Sequence, residues 1–75
     1  NARLIALIKP QFEVGRKKIG KKGIVKSSKD QQDACLSVRS FLDREGWFVT
    51  HIEQCPILGS DGNCEFLLTA TRKIP

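Results

Sequence analysis

Long hydrophobic runs are missing from this sequence. The longest uninterrupted apolar run, Leu4 to Ile8, is five residues, whereas a membrane-spanning helix needs about 20. No segment resembles a signal peptide, which would combine a charged start, an apolar middle and a small-residue cleavage site. We therefore predict that the chain does not span a membrane and has no membrane partner.

Histidine and cysteine are also scarce. The chain has one histidine, His51, and three cysteines, Cys35, Cys55 and Cys64, an odd set without the spacing of a disulfide framework. Reduced thiols of this kind fit an intracellular protein better than a secreted one. His51, Cys55 and Cys64 could supply three zinc ligands, but the closely spaced pairs typical of zinc sites are lacking. We therefore predict a cytoplasmic protein without a metal site.

The chain is short for an independent domain. A folded unit of this size buries only about 60% of the surface that its unfolded chain exposes, and the balance of burial against chain entropy is then close to zero without a partner, a metal or disulfides. The first residue, Asn1, stands directly before an apolar run. We therefore expect these residues to be a fragment, or the ordered remainder, of a longer chain.

Acidic residues are absent from one strongly basic stretch. The net charge is +5; residues 14–29 hold seven basic groups and no acid, whereas residues 30–75 hold four basic and seven acidic groups. Such a local patch is typical of a surface that binds a polyanion, although a solvated loop kept soluble by lysines fits the pattern equally well. The seven basic residues are Arg16, Lys17, Lys18, Lys21, Lys22, Lys26 and Lys29.

The first third of the chain predicts a strand and a long loop. Leu4 to Ile8 is short, continuous and apolar, which is typical of a strand buried on both faces of an α/β sheet. Pro10 cannot donate to a strand ladder, so Lys9 should lie at the end of this strand. From Gln11 to Lys26, glycines interrupt a basic stretch without periodicity, which predicts a loop. Lysines dilute these glycines, so the loop does not match the glycine-rich turn of a cofactor site.

The rest of the chain predicts one helix and two strands. Ser28 can cap the helix, with Gln31 three residues on as in a capping box, and Gly46 can end it. Residues 47–52 and 66–71 predict strands separated by turn residues. The predicted order is therefore strand, basic loop, helix, strand, strand, an α/β arrangement. The residues that follow helical spacing on the packed face are Ala34, Val38, Phe41, Leu42 and Glu45, with Cys35 beside them.

Lys9 and Glu65 are candidates for a functional site. A lysine at the end of an apolar strand is costly unless it faces a cleft, and open α/β sheets bind ligands outside the C-terminal ends of their strands. Glu65 begins the last strand, so antiparallel pairing of that strand with the first would bring the two residues to one edge of the sheet. The alternative is a half-exposed ion pair that closes the sheet and contributes little.

Three motifs carry a resemblance to a known family. They are Leu7-Ile8-Lys9-Pro10-Gln11-Phe12-Glu13, then Gly15-Arg16-Lys17 with Gly20-Lys21-Lys22-Gly23-Ile24-Val25, and Gly59 with Gly62-Asn63-Cys64-Glu65-Phe66-Leu67-Leu68. With these motifs the chain closely resembles the C-terminal part of the TlyA family, and the match extends over nearly the whole chain. The resemblance implies a Rossmann-like methyltransferase sheet, of which residues 1–75 form the C-terminal part with an antiparallel final strand.

The resemblance also implies an activity. TlyA proteins, often called hemolysin A, have an FtsJ-like domain that resembles ribosomal RNA 2′-O-methyltransferases with a Lys-Asp-Lys-Glu tetrad. In that tetrad Lys9 is similar to the second lysine and Glu65 to the glutamate. The implied reaction is S-adenosylmethionine-dependent methylation of a ribose 2′-hydroxyl, and the implied partner is ribosomal RNA or a ribosomal subunit. The predicted phosphate contacts are Arg16, Lys17, Lys18, Lys21 and Lys22.

Other parts of such an enzyme are expected upstream of this chain. They are the cofactor-binding half, with the first lysine and the aspartate of the tetrad, and a small N-terminal RNA-binding domain. We therefore expect residues 1–75 alone to be inactive. One alternative is a nonenzymatic RNA-binding module. A third, membrane lysis, is disfavoured because the sequence has no amphipathic helix with a large apolar face and a cationic face.

Overall fold

The computed structural model describes residues 1–13, 24–59 and 62–73. These residues form an α/β structure whose strands and long helix follow the predicted order, with one short helix in addition. The elements are β1 (Ala2–Ile8), α1 (Pro10–Glu13), α2 (Ser28–Arg44), β2 (Phe48–Gln54) and β3 (Phe66–Arg72).

β3 lies in the middle of a three-stranded sheet. The strand order is β1-β3-β2, and β3 runs antiparallel to both neighbours. Ile8 pairs with Phe66 at one end of the β1–β3 ladder, and Ala2 pairs with Arg72 at the other. The β2–β3 ladder is irregular after Val49. The predicted antiparallel final strand is therefore confirmed, and it is inserted between the two other strands.

The core lies between this sheet and α2. β3 contributes Leu68 and Ala70, neither of which is exposed to solvent, and β1 contributes Ile8. Cys35 and Leu42 of α2 pack against these strand residues. The strand in the middle of the sheet is thus also the strand with the most deeply buried side chains.

The opposite face of the sheet is exposed. Along β1, burial alternates, and Ile5 and Leu7 keep 64% and 53% of their surface exposed. The expectation that this strand is buried on both faces is therefore wrong for this chain, because α2 covers one face. Phe41, predicted on the packed face of α2, is likewise 54% exposed.

The N-terminus of α2 differs from the prediction by one residue. The N-cap is Ser27 rather than Ser28, and its hydroxyl accepts a hydrogen bond from the main-chain N–H of Asp30 at 3.3 Å. Such a cap satisfies one of the N–H groups that the first helical turn leaves without a partner. Gln31, expected to complete a capping box, instead donates from its side chain to the carbonyl of Val25 at 3.0 Å.

Gly46 terminates α2 as predicted, since the helix ends at Arg44 and Glu45 is its C-cap. Gly46 has a φ of +87°, a left-handed conformation that glycine adopts without steric cost. Its N–H donates to the carbonyl of Asp43, and the N–H of Trp47 donates to the carbonyl of Leu42 at 2.9 Å, which is the paired pattern of a Schellman motif. This termination turns the chain directly into β2.

A side chain of β3 holds this helix end against the sheet. The Arg72 guanidinium lies 4.5 Å from the centre of the Trp47 ring, within the range of a cation–π contact. The same guanidinium donates to the carbonyl of Glu45, the last residue of the helix cap. Arg72 therefore joins the end of α2 to β3.

The short helix α1 was not predicted from the sequence. Pro10 occupies its first position, where proline's fixed φ suits a helix and its missing N–H is not needed. The N–H of Phe12 donates to the carbonyl of Lys9 at 2.9 Å. The helix therefore begins directly after Lys9.

Replacing Gly46 tests the role of this turn. Gly46→Ala should destabilise the protein by about 1–2 kcal/mol, because residues with a side chain rarely adopt this backbone conformation. An added Cβ would meet only the Arg72 guanidinium, at 3.8 Å, so a clash should not contribute. Gly46→Asn should cost less, since asparagine tolerates a left-handed backbone. Urea denaturation of the full-length protein measures the difference, and equal midpoints for the two variants would contradict this explanation.

Candidate active site

The register of β1 and β3 brings the two candidate catalytic residues to one edge of the sheet. Ile8 pairs with Phe66; Lys9 directly follows the first of these and Glu65 directly precedes the second. Lys9 is exposed and Glu65 is half-buried. The edge lies at the C-terminal end of β1, where α/β sheets present functional groups.

The main chain at both positions is held by hydrogen bonds. The carbonyl of Glu65 accepts from the N–H of Cys55 at 2.9 Å, which extends the β2–β3 pairing by one residue. The carbonyl of Lys9 accepts from Phe12 at the same distance as α1 begins. The start of α1 and the β2–β3 pairing therefore fix the main-chain positions of Lys9 and Glu65.

Lys9 and Glu65 do not form a closed ion pair. Among the residues that the structure describes, the ion pairs are Lys29–Asp33 at 3.1 Å and His51–Glu53 at 3.5 Å. The two candidate residues are thus neighbours by strand register, without a direct contact between their charged groups.

The five predicted phosphate-binding residues lie outside the described part of the chain. They belong to residues 14–23, whereas two other members of the basic stretch, Lys26 and Lys29, are described and exposed. Lys29 donates a hydrogen bond to the Asp33 carboxylate at 3.1 Å, and this bond raises the pKa of Lys29. Of these two lysines, Lys29 is therefore partly neutralised by its neighbour. The five predicted residues are Arg16, Lys17, Lys18, Lys21 and Lys22.

The three cysteines are free thiols. Burial raises the pKa of Cys35 and of Cys64, and a neighbouring thiol raises each of them further. A raised pKa reduces the thiolate fraction at neutral pH and with it the nucleophilicity, so neither residue suits covalent catalysis. Within the described ranges, no group of three or more His, Cys, Asp or Glu side chains could hold a metal ion.

The comparison with protein families identifies the chain. The family model described as "FtsJ-like methyltransferase" matches residues 1–72. The chain belongs to the FtsJ-like methyltransferase family. It is 48% identical over 64 residues to the "Putative rRNA methyltransferase YqxC" of Bacillus subtilis, which covers 85% of this chain and 23% of that protein.

Other relatives agree with the TlyA resemblance. The chain is 32% identical over 68 residues to the "16S/23S rRNA (cytidine-2'-O)-methyltransferase TlyA" of Mycobacterium tuberculosis, covering 91% of this chain and 25% of that protein. A solved structure described as a "putative hemolysin from Lactococcus lactis" is 38% identical with a TM-score of 0.88, covering 93% of this chain and 33% of that one. The chain thus spans about a quarter of the length of these curated relatives.

Membership in the FtsJ-like methyltransferase family implies S-adenosylmethionine as the methyl donor. Such cofactors bind at a glycine-rich turn between a strand and a helix. In the described part of this chain, only Lys9 lies between β1 and α1. The described residues that lead into α2, Val25 to Ser27, likewise include no glycine. These residues do not fit the cofactor, so we assign no cofactor contact to them.

The sequence analysis missed the contact of one residue close to the edge that carries Lys9 and Glu65. Asn63 is completely buried, and its side-chain oxygen accepts a hydrogen bond from the N–H of Val25 at 2.9 Å. The sequence analysis names Asn63 only as a member of the third motif and assigns it no role of its own. The contact joins positions 38 residues apart, and no local signal in the sequence indicates it.

Proposed function

We propose that the full-length protein containing this chain transfers a methyl group from S-adenosylmethionine to a ribose 2′-hydroxyl of ribosomal RNA. In this proposal, Lys9 and Glu65 belong to the reaction centre and the basic stretch contacts RNA. The three strands are the C-terminal part of a larger Rossmann-like sheet, and the cofactor binds mainly to residues upstream. The protein acts in the cytoplasm, where its substrate is ribosomal RNA or a ribosomal subunit.

The pairing of Ile8 with Phe66 carries this proposal. It supports a shared role for Lys9 and Glu65, because the antiparallel register places them at one edge although 56 positions separate them (65 − 9). Family membership supports methyl transfer. The TlyA relatives are named as rRNA (cytidine-2′-O)-methyltransferases, which supports a ribose in ribosomal RNA as the acceptor.

Lys9 and Glu65 have distinct parts in the proposed chemistry. A hydroxyl oxygen that accepts a methyl group must be held in line with the donor and must lose its proton. The Lys9 ammonium orients this oxygen and stabilises the negative charge that develops on it, while the hydroxyl proton passes to solvent. Glu65 orients the Lys9 ammonium electrostatically from the same edge, without a direct contact between the two charged groups, and its half-buried place at the start of β3 favours this role. When bound, S-adenosylmethionine supplies the methyl group.

Two other functions predict different results. A nonenzymatic RNA-binding module would use the basic stretch without transfer. Membrane lysis is suggested by the name hemolysin, which the structurally similar proteins from Lactococcus lactis and Streptococcus thermophilus carry. No helix within the described ranges is long and apolar enough to cross a lipid bilayer.

A methylation assay with the full-length protein tests the proposed function. We expect it to transfer labelled methyl groups to unmodified ribosomal subunits, and mass spectrometry of the nucleosides should show 2′-O-methylation. A substrate with deoxyribose at the modified position should accept no label. Residues 1–75 alone should neither transfer methyl groups nor bind the cofactor measurably. RNA binding without transfer would support the module instead, and dye release from liposomes would support lysis.

Substitution of Lys9 tests its proposed role. Lys9→Ala should lower the single-turnover rate by on the order of 100-fold, the effect of losing one preorganised group that stabilises charge. Affinity for the cofactor should stay near normal. Lys73→Ala is the matched control, because Lys73 is an exposed lysine beyond the opposite end of β3. A wild-type rate in rapid-quench kinetics of Lys9→Ala would remove Lys9 from the mechanism.

A double mutant tests whether the two residues act together. Glu65→Gln should lose less rate than Lys9→Ala, and the double variant should lose far less than the product of the two single losses. Glu53→Gln, a change in an exposed carboxylate on β2, serves as the control for charge alone. Multiplicative losses in the same rapid-quench assay would show that Lys9 and Glu65 work separately.

The salt dependence of RNA binding tests the basic stretch. Alanine at Lys17, Lys18, Lys21 and Lys22 of the full-length protein should weaken binding uniformly across RNA sequences, since phosphate contacts carry no base information. Each lost contact to a single strand should reduce the slope of log affinity against log salt by about 0.7. A wild-type slope in filter-binding titrations would show that the stretch is only a solvated surface.

A further inference from the structure

Asn63 is the one buried polar residue within the described ranges, and its side chain is completely shielded from solvent. It stands two positions before Glu65. A buried amide is retained at little cost only when hydrogen bonds replace its contacts with water. One such bond is the one that Asn63 Oδ1 accepts from the N–H of Val25 at 2.9 Å.

The main chain of Val25 forms a second hydrogen bond, with a side chain of α2. Val25 is only 1% exposed and lies in the segment Ile24–Ser27, outside any helix or strand. Gln31 donates to its carbonyl at 3.0 Å. Buried main-chain groups outside secondary structure need such partners, so Asn63 and Gln31 together determine where this segment enters the core. We call these three residues the Val25 anchor.

The anchor is connected to the candidate active site by the main chain at Asn63, which directly follows a turn. The carbonyl of Asn63 accepts from the N–H of Gly59 at 2.8 Å, and the N–H of Gly62 donates to the carbonyl of Gly59. Gly62 has a φ of +87°, which lets the chain reverse directly before Asn63. Cys64 separates Asn63 from Glu65, and the carbonyl of Glu65 accepts a hydrogen bond from the N–H of Cys55.

We propose that Asn63 is a positioning residue that fixes Glu65 relative to the segment leading into α2. This inference rests on the proposed function and deepens it. Asn63 acts through the main chain: its bond to Val25 fixes position 63, and the main chain from there sets where the Glu65 side chain begins at the edge that it shares with Lys9. The segment on the other side of the bond carries the exposed Lys26, so the anchor links part of the basic stretch to the catalytic edge.

Substitution of Asn63 in the full-length protein tests the proposal. Asn63→Ala should lower the single-turnover rate at saturating RNA and cofactor by about 10- to 100-fold, the scale expected when a catalytic group moves by about 1 Å. Cofactor affinity should not change. Asn63→Asp keeps an oxygen that can accept from Val25 but puts a carboxyl group in a site closed to solvent, so it should recover part of the lost rate only as the pH falls and this group becomes protonated. An Asn63→Ala enzyme with the wild-type rate would overturn the proposal.

Two comparisons separate positioning from a general loss of stability. Val49→Ala shortens a buried side chain of β2 that pairs with Ala70, far from the Glu65 end of β3. It should lower the melting temperature yet keep a near-normal rate below that temperature. In a Glu65→Gln background, Asn63→Ala should cost less than about 2-fold in rate, since groups that act together are non-additive. Multiplicative losses, or an equal loss in Val49→Ala, would show that Asn63 is only structural.

A second variant and a second readout cover the remaining outcomes. If Asn63→Ala does not fold, Gln31→Ala removes the other bond to Val25 and should lower the rate in the same direction, whereas a wild-type rate would count against the anchor. If the wild-type protein transfers no methyl group, the proposed function fails, but hydrogen exchange still tests the anchor. The Val25 and Cys55 amides should exchange at least about 10-fold faster in Asn63→Ala than in Val49→Ala; equal exchange would overturn the proposal.

Discussion

β3 is hydrogen-bonded to β1 along one side and to β2 along the other, and both pairings are antiparallel. This position puts Leu68 and Ala70 in the centre of the core, where neither is exposed. The same register places Glu65 beside Lys9. Because a slip of one residue would turn the buried side chains of β3 to the other face, hydrophobic burial on β3 also fixes the edge that carries the candidate residues Lys9 and Glu65.

A second constraint comes from polar groups that folding removes from water. Val25 enters the interior without joining a helix or a strand, and Asn63 and Gln31 bind its main-chain groups. Leaving one of these buried groups without a partner would cost about 1–3 kcal/mol, a large part of the stability of a small unit. Burial on β3 therefore fixes Glu65 from its C-terminal side, and the Val25 anchor fixes it from its N-terminal side.

The features that the sequence predicted are those determined by neighbouring residues. The strand before Lys9 and the end of α2 at Gly46 follow from an apolar run and from the backbone freedom of glycine. The N-cap differs by one residue because Ser27 and Ser28 offer the same hydroxyl, and helix ends are uncertain by about that much. The four-residue α1 is too short to show a helical period, so its absence from the prediction has a simple cause.

The features that the sequence did not predict depend on residues far away. Burial of Ile5 depends on whether another element packs against its face of the sheet. The sequence pattern of β1 does not contain that information. Asn63 stands among turn residues, and only its contact with Val25, 38 residues earlier, distinguishes it from an exposed turn asparagine. Lys9 and Glu65 were predicted in part. The family resemblance indicated both residues, and an assumed antiparallel pairing placed them at one edge. The observed register of Ile8 with Phe66 shows that they are neighbours there. The sequence of such an edge thus supplies the chemical groups, while strand pairing and one buried amide determine their geometry.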